Sequence, residues 1–342
     1  MCDSKEGSFK MIGVLLVQLG TPDSPSVSDV RKYLSEFLND PRVIDIPYLL
    51  RKILVNLIIV PFRAPKSAKL YKMLWTDKGS PLLFYSISLK EKLQSALGSM
   101  FEVELAMRYK NPSMESVLER MRKKGYEKII ILPLFPHYAS ASTGSAVNKA
   151  LDIIRKWWVI PEINIIGQFY DNEQYINAVA AKGRKYNLAD YDHILFSYHG
   201  LPVSQVDKVY NDGKICDDHN CETEINDSNR YCYKAACYAT TRLLAQKLNI
   251  PKEKYTVCFQ SRLNKKWLEP FSDKVIAELA RKGSKRLLVF SPAFVADCLE
   301  TTVEIAYDYL QIFKANGGEH LQLVESLNDS PDWVEVIKNM MS

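Results

Sequence analysis

Residues 14–22 read VLLVQLGTP and residues 194–202 read ILFSYHGLP. Each is an apolar run that ends in Gly-x-Pro, the pattern of a buried strand giving way to a turn. A second pair repeats the idea. IIILPLFPHYASASTGSA (129–146) and LLVFSPAFVADCLETTVEI (287–305) both run from an apolar strand, through proline and phenylalanine, into small polar residues that open a helix. The two pairs mark equivalent positions in two similar halves. Working outward, the spacing predicts strands over 12–19, 102–107, 128–134, 193–198 and 286–290, with weaker ones at 255–259 and 163–169. Helical patterns lie between them at 113–124, 238–248 and 273–282. Buried strands alternating with helices predict an α/β fold, two doubly wound lobes with parallel sheets. The boundaries expected are 1–175 and 176–325, with a terminal helix in 326–342.

Composition narrows the functional classes. The chain has 342 residues, 47% hydrophobic and 25% charged, enough for two lobes with sizeable cores. Its net charge of +5 is too mild, and too scattered, for a nucleic-acid footprint. The apolar runs at 11–19 and 53–62 are too short to span a bilayer, and no cleavable leader pattern follows the N-terminus. A cytoplasmic location is therefore expected. The seven cysteines are then read as thiols or metal ligands, not disulfides.

In open α/β sheets ligands collect at the carboxyl ends of strands, which places His199 on the functional edge of its lobe. Glu300, Glu304 and Asp308 are spaced i, i+4, i+8, so a helix stacks them along one face. Spacing alone favours a solvated acidic face. Yet the flanking residues are apolar, and the helix opens at the same sheet edge as His199. A neutral imidazole with a carboxylate suits a borderline divalent metal such as Fe²⁺. In the first half, Arg108 fits either a substrate carboxylate or an acidic neighbour. Ser142, Thr143 and Gly144 read as an N-cap loop or an anion cradle. The stretch 46–75 is apolar, aromatic and basic without one acid. It reads as a core helix with a loop, or as a lip that admits a flat apolar ligand and rests on anionic membrane through Arg51, Lys52, Arg63 and Lys66.

Cys216, Cys221, Cys232 and Cys237 give the most specific spacing, C-x4-C-x10-C-x4-C inside a polar insert at 210–237. Four thiolates suit a [2Fe–2S] cluster. Zinc is the alternative, with His219 able to replace one ligand. Cys2, Cys258 and Cys298 are left over.

With those residues collected, the sequence resembles the ferrochelatases over nearly its whole length. The stretches that carry the resemblance are VLLVQLGTPDSPSVSDVRKYLSEFLNDPRVI, GSPLL, LPLFPHYASASTGS, FSYHGLPVS, FQSRLNKKWLEP and SPAFVADCLETTVEI, in the family's order. The resemblance implies a chelatase-type fold of two Rossmann-like lobes. It also implies insertion of Fe²⁺ into a porphyrin (protoporphyrin or coproporphyrin) held in the cleft between them. His199 then corresponds to the metal-binding or proton-accepting histidine and Glu300 to its partner carboxylate. Glu304 and Asp308 match the acidic row behind it, carried in the family on a helix with a π-type bulge. Arg108, Tyr109, Ser142, Thr143 and Gly144 match pocket residues, and 46–75, ending at Trp75, matches the pocket lip. Three positions depart from the family pattern: Cys298 where some members have histidine, His137 where several have glutamine, and Asn264 for a common glycine. The four-cysteine insert matches the cluster-bearing bacterial type. Two rivals stand beside this reading, a chelatase for another metal or tetrapyrrole, and a porphyrin or haem carrier without turnover. The oligomeric state is left open.

Overall fold

A computed structural model describes residues 11–341. Eight strands form two sheets: β1 (Ile12–Gly20), β2 (Phe101–Tyr109), β3 (Lys128–Pro133) and β4 (Glu162–Ile165), then β5 (His193–His199), β6 (Tyr255–Gln260), β7 (Arg286–Phe290) and β8 (His320–Leu323). The first sheet has the order β2-β1-β3-β4 and the second β6-β5-β7-β8, with every pairing parallel. The second sheet therefore repeats the strand order of the first. The two Gly-x-Pro runs are β1 and β5, and the second matched pair begins on β3 and β7.

The central strands are apolar on both faces because helices cover both. Val14, Leu15, Leu16 and Val17 are completely buried, as are Leu195 and Phe196. Gly20 ends β1 at φ +116°, where a Cβ would sit 2.0 Å from the Tyr109 carbonyl oxygen, so only glycine fits. The helices start where the sequence supplies caps. Ser26 accepts from the Asp29 amide, Ser113 from the Ser116 amide and Asn172 from the Tyr175 amide. The helix Tyr233–Leu248 begins earlier than its pattern predicts, with Cys232 at its N-cap. The short edge strand β8 was not legible in the sequence, since only Leu321 of its four residues is buried.

One apolar core crosses both sheets, from Val14 and Leu105 through Phe169 and Tyr175 to Phe196 and Phe290. The helix Pro331–Met340 seals it. Its fully buried Trp333 packs on Phe169 and Tyr175, and just before it Asp329 pairs with Lys92 of the helix Pro81–Leu97. The C-terminal segment thus returns to the first sheet's helices.

The stretch read as a lip is one continuous helical run over 48–74, interrupted by a π-helical segment at Leu54–Ile59, not a helix followed by a loop. Its inner face, Val55, Val60, Ala64, Ala68 and Tyr71, packs on the helix Val27–Leu38. Its outer face leaves Leu49, Leu57 and Phe62 about 70% exposed (68%, 70% and 73%). Arg51 turns inward, against the lip expectation, and donates to the carbonyls of Asn39, Ile44 and Ile46. No described helix is long and apolar enough to cross a membrane.

Candidate functional site

In each sheet the chain steps to opposite sides of the first strand, which opens a crevice at the carboxyl ends of β1 and β3, and of β5 and β7. His199 is the last residue of β5, paired in register with Gln260 of β6. Its ring is half-buried and lies 6.3 Å from the Trp267 ring and 6.4 Å from the Phe294 ring. Nδ1 is 2.6 Å from the Gly200 carbonyl oxygen, which only accepts. Nδ1 therefore carries the proton, and the lone pair of the neutral ring is on Nε2. Gly200 keeps this turn tight, since a Cβ there would approach the Gln260 oxygen to 2.8 Å.

After β7, the loop holding Phe294 leads into a π-helix, Leu299–Tyr309, which carries Glu300, Glu304 and Asp308. Gln260 ties this helix to the histidine's sheet. Its Nε2 donates to the Glu300 carbonyl and to the Glu304 carboxylate, both at 3.3 Å, while its Oε1 accepts from Ser197 of β5. Val303 and Leu299 on the same helix join the cluster formed by Tyr33, Tyr71 and Trp75. The acidic helix therefore belongs to the second sheet and packs on the helices of the first. Burial and then the charge of Glu300 raise the Tyr33 phenol well above its ordinary value, and burial, then Tyr33 and Glu300, do the same to Tyr71. The Cys298 thiol is raised the same way, by burial and then by Glu300. Burial alone raises the Asp308 carboxyl.

The predicted pocket residues of the first half form a second group around Asp40. Its carboxylate accepts from Arg108 Nη2 at 2.5 Å, from the Tyr109 hydroxyl at 2.9 Å, from Ser145 Oγ and from the Arg42 amide at 2.8 Å. Burial pushes this carboxyl up, but Ser145, Arg42, Arg108 and Tyr109 together hold it below its ordinary value. Of the two partners the sequence allowed for Arg108, the acidic neighbour is present. The N-cap reading of Ser142, Thr143 and Gly144 is corrected. Ser140–Gly144 is itself a π-helical turn that runs straight into the helix Ser145–Ile154, and no hydroxyl caps that helix. Within the turn Thr143 is buried with its hydroxyl unpartnered, Ser142 is half-buried, and Gly144 packs against Tyr138 and Arg42.

Between the halves lies a cleft of about 380 Å³, lined by Arg42, Tyr138 and Ser140 on one side and by Gln205, Lys208 and Tyr233 on the other. Two contacts clasp it: Lys208 pairs with Asp45, and Gln205 Nε2 donates to the Val43 carbonyl. The sequence missed both because nothing in local spacing links residues so far apart. Also unforeseen is the setting of His137, fully enclosed by Tyr170, Tyr198 and Tyr233, where burial lowers its pKa to about 3. Thr240 donates to the Tyr170 carbonyl, so His137 Nε2 must donate to Thr240.

In the insert, the sulfurs of Cys216, Cys221 and Cys232 converge to within 4.8 Å of one another, all buried, with Cys216 and Cys232 3.5 Å apart. Among the described residues this is the only such convergence of metal-ligand atoms. Cys237 is not one of the three. It is enclosed in the helix Tyr233–Leu248, where burial raises its thiol. His219 is also outside the group, stacked on Tyr210 with ring centroids 4.0 Å apart. Hydrogen bonds from Cys216 and Cys232, then from Tyr210 and Asn229, hold the Cys221 thiol well below its ordinary value. Of the cysteines left over, Cys258 and Cys298 are buried and Cys2 lies outside the described residues.

The chain is 45% identical to a Coxiella burnetii ferrochelatase over 332 residues, covering 96% of this chain and 92% of the relative. It is also 45% identical to a Legionella pneumophila ferrochelatase over 331 residues, covering 96% and 98%. Among solved structures, Bacillus subtilis SirB with Fe³⁺ aligns at a TM-score of 0.53 with 13% identity, covering 97% of this chain and 94% of that one. The sirohydrochlorin chelatase SirB of Bacillus subtilis subspecies spizizenii with cobalt aligns at 0.51 with 12% identity, covering 96% and 93%. These two likenesses establish the chelatase fold. A family model described as Ferrochelatase matches residues 11–342, and with the curated relatives it shows that this chain belongs to the ferrochelatase family, whose enzymes insert metal into a porphyrin for haem synthesis.

Proposed function

We propose that the chain acts as a lyase that inserts Fe²⁺ into protoporphyrin IX or coproporphyrin III between lobes 1–175 and 176–325, with loss of two pyrrole protons. One observation carries the reading: His199 is held so that its free lone pair is on Nε2, at the crevice edge shared with the helix of Glu300. An imidazole whose Nε2 lone pair is free suits proton removal or delivery of iron from one face. Glu300, in the first turn of that helix, is the proposed carboxylate that ligates iron or takes up protons. Glu304 and Asp308 continue the row, and the raised Asp308 carboxyl suits a proton store at its far end. Trp75, Ser142, Thr143 and Gly144 line the porphyrin's apolar and hydroxyl-bearing walls. Arg108 and Tyr109, engaged with Asp40, shape the wall from behind. The exposed apolar face of 48–74 contacts the membrane from the cytoplasmic side, with Lys52, Arg63 and Lys66 near the headgroups.

The test is an anaerobic assay with Fe²⁺ and each porphyrin, read by the absorption of the product haem. Turnover with at least one porphyrin is expected. Tight porphyrin binding without turnover would favour a carrier, and turnover only with another metal or tetrapyrrole a different chelatase.

The insert is proposed to hold a [2Fe–2S] cluster on Cys216, Cys221, Cys232 and Cys237. Three converging buried thiols, one of them favoured as thiolate by neighbouring donors, fit soft-metal ligation. Cys237, five residues beyond Cys232 on the adjoining helix, is the proposed fourth ligand. Such a cluster would supply a redox-active centre linked through Tyr210 to the segment after His199. Purified protein is expected to contain about two irons and two sulfides per chain, and Cys221→Ser to lose both along with the visible absorption. Stoichiometric zinc in place of iron would refute the assignment.

A further inference from the structure

Four donors occupy the Glu304 carboxylate. Oε1 accepts from the Ser261 amide at 2.8 Å and from the Tyr309 hydroxyl at 3.0 Å. Oε2 accepts from Gln260 Nε2 at 3.3 Å and from the Ser261 hydroxyl. An ionised carboxylate offers about four lone-pair sites, so little capacity is left for iron or for a mobile proton. Two of the donors come from Ser261, which has φ +59°. A non-glycine residue in the left-handed region is strained and persists only where its surroundings over-determine it. Here the over-determining group is Glu304, reaching across from the π-helix.

The strained turn sets the course of the chain that follows. From Ser261 the loop passes Arg262, which pairs with Asp273 at 2.6 Å, and reaches Trp267. There it lies against the residues that follow His199. The Val203 amide donates to the Lys266 carbonyl at 3.0 Å, and the Leu268 amide to the Leu201 carbonyl at 2.9 Å. Trp267 Cε3 would be 3.3 Å from a Cβ on Gly200, and its ring lies beside His199. A path of direct contacts therefore runs from Glu304 through Ser261 and the loop to Trp267 and the turn that orients His199.

We propose that Glu304 is a positioning residue. It holds the Ser261 turn, and through it the Trp267 wall against His199, and takes no part in binding iron or moving protons. This deepens the proposed function and rests on His199 being the reacting histidine. It separates Glu304 from Glu300 and Asp308, with which its spacing groups it.

The experiment compares wild type, Glu304→Ala, Glu304→Gln, Ser261→Gly and the double variant Glu304→Ala/Ser261→Gly. Three readouts are used: porphyrin binding without iron by tryptophan quenching, hydrogen exchange over 261–269, and anaerobic insertion kinetics with a pH profile. Glu304→Ala is expected to weaken porphyrin binding about tenfold, roughly the loss of one fixed contact wall. It should also speed exchange in the loop, raise KM more than it lowers kcat, and leave the pH midpoints in place. Glu304→Gln, whose amide oxygen still accepts from the Ser261 amide, should lie within about threefold of wild type. Glycine adopts φ +59° without strain, so the double variant should recover most of the lost binding and loop protection. The proposal is overturned if Glu304→Ala lowers kcat about a hundredfold with binding and exchange unchanged, as for a proton-transfer group. It is also overturned if Glu304→Gln is as damaged as alanine, or if glycine at 261 restores nothing. Binding and exchange need no turnover, so they test the positioning role even if the wild type inserts no iron. That outcome would count against the proposed function alone.

Discussion

Replacing His199 with alanine is expected to reduce iron insertion by about 10²–10⁴-fold, the usual contribution of a positioned acid–base group, with little change in thermal stability. The side chain is half-buried at a strand end and makes one side-chain hydrogen bond, to the carbonyl of the next residue. The backbone pairings of β5 with β6 and β7 do not involve the ring. Porphyrin binding should therefore survive while the chemical step fails. His199→Asn should behave like alanine, because its amide cannot be protonated near neutral pH even if it reaches the same place. The measurements are single-turnover insertion under anaerobic conditions, porphyrin titration and a melting curve for each variant. Near wild-type insertion by a well-folded His199→Ala protein would remove the histidine from the mechanism.

The second large effect is on stability. Asp40→Ala is expected to destabilise the protein by about 3–5 kcal/mol, the range for breaking a buried ion pair by deleting one partner. The Asp40 side chain is 3% exposed and that of Arg108 14%. Without the carboxylate the Arg108 guanidinium keeps only Ser145 as a hydrogen-bond partner, and the Tyr109 hydroxyl is left with the longer contact to Ser145 Oγ at 3.2 Å. The pH dependence has a definite sign. Asp40 is held below its ordinary value in the folded protein, so its contribution is fully present above its unfolded pKa, about 3.9, and is lost as pH falls through the folded value. Urea unfolding at pH 7 should show the full loss in Asp40→Ala. At about pH 3 the gap between variant and wild type should narrow. An unchanged midpoint at pH 7 would contradict this view of the pair.

Much of the architecture was legible because it rests on local rules. Strands buried on both faces announce themselves as continuous apolar runs, and the boundaries expected for β1, β3, β5 and β7 fall within a residue or two of those found. β8 escaped because an edge strand needs few apolar residues. The π-helical turn at 140–144 escaped because its small hydroxyl residues favour caps as readily as turns. His199 could be singled out because it ends a recognisable strand, and Glu300 because it heads an evenly spaced acidic row on the helix after another. The distinction between Glu300 and Glu304 could not be made that way. Their spacing is equivalent, and only the approach of Ser261 from another strand separates them.

By itself the sequence determined the fold class, the two similar halves and the family. All of these follow from periodicity, turn residues and motif order along the chain. The tertiary structure alone decided which partners those residues keep: Arg108 with Asp40, Glu304 with Ser261, and three of the four insert cysteines with one another. The physical reason is range. Burial patterns and turns are set by neighbours a few residues away, whereas hydrogen bonds and ion pairs act over a few ångströms between groups that the chain brings together only on folding.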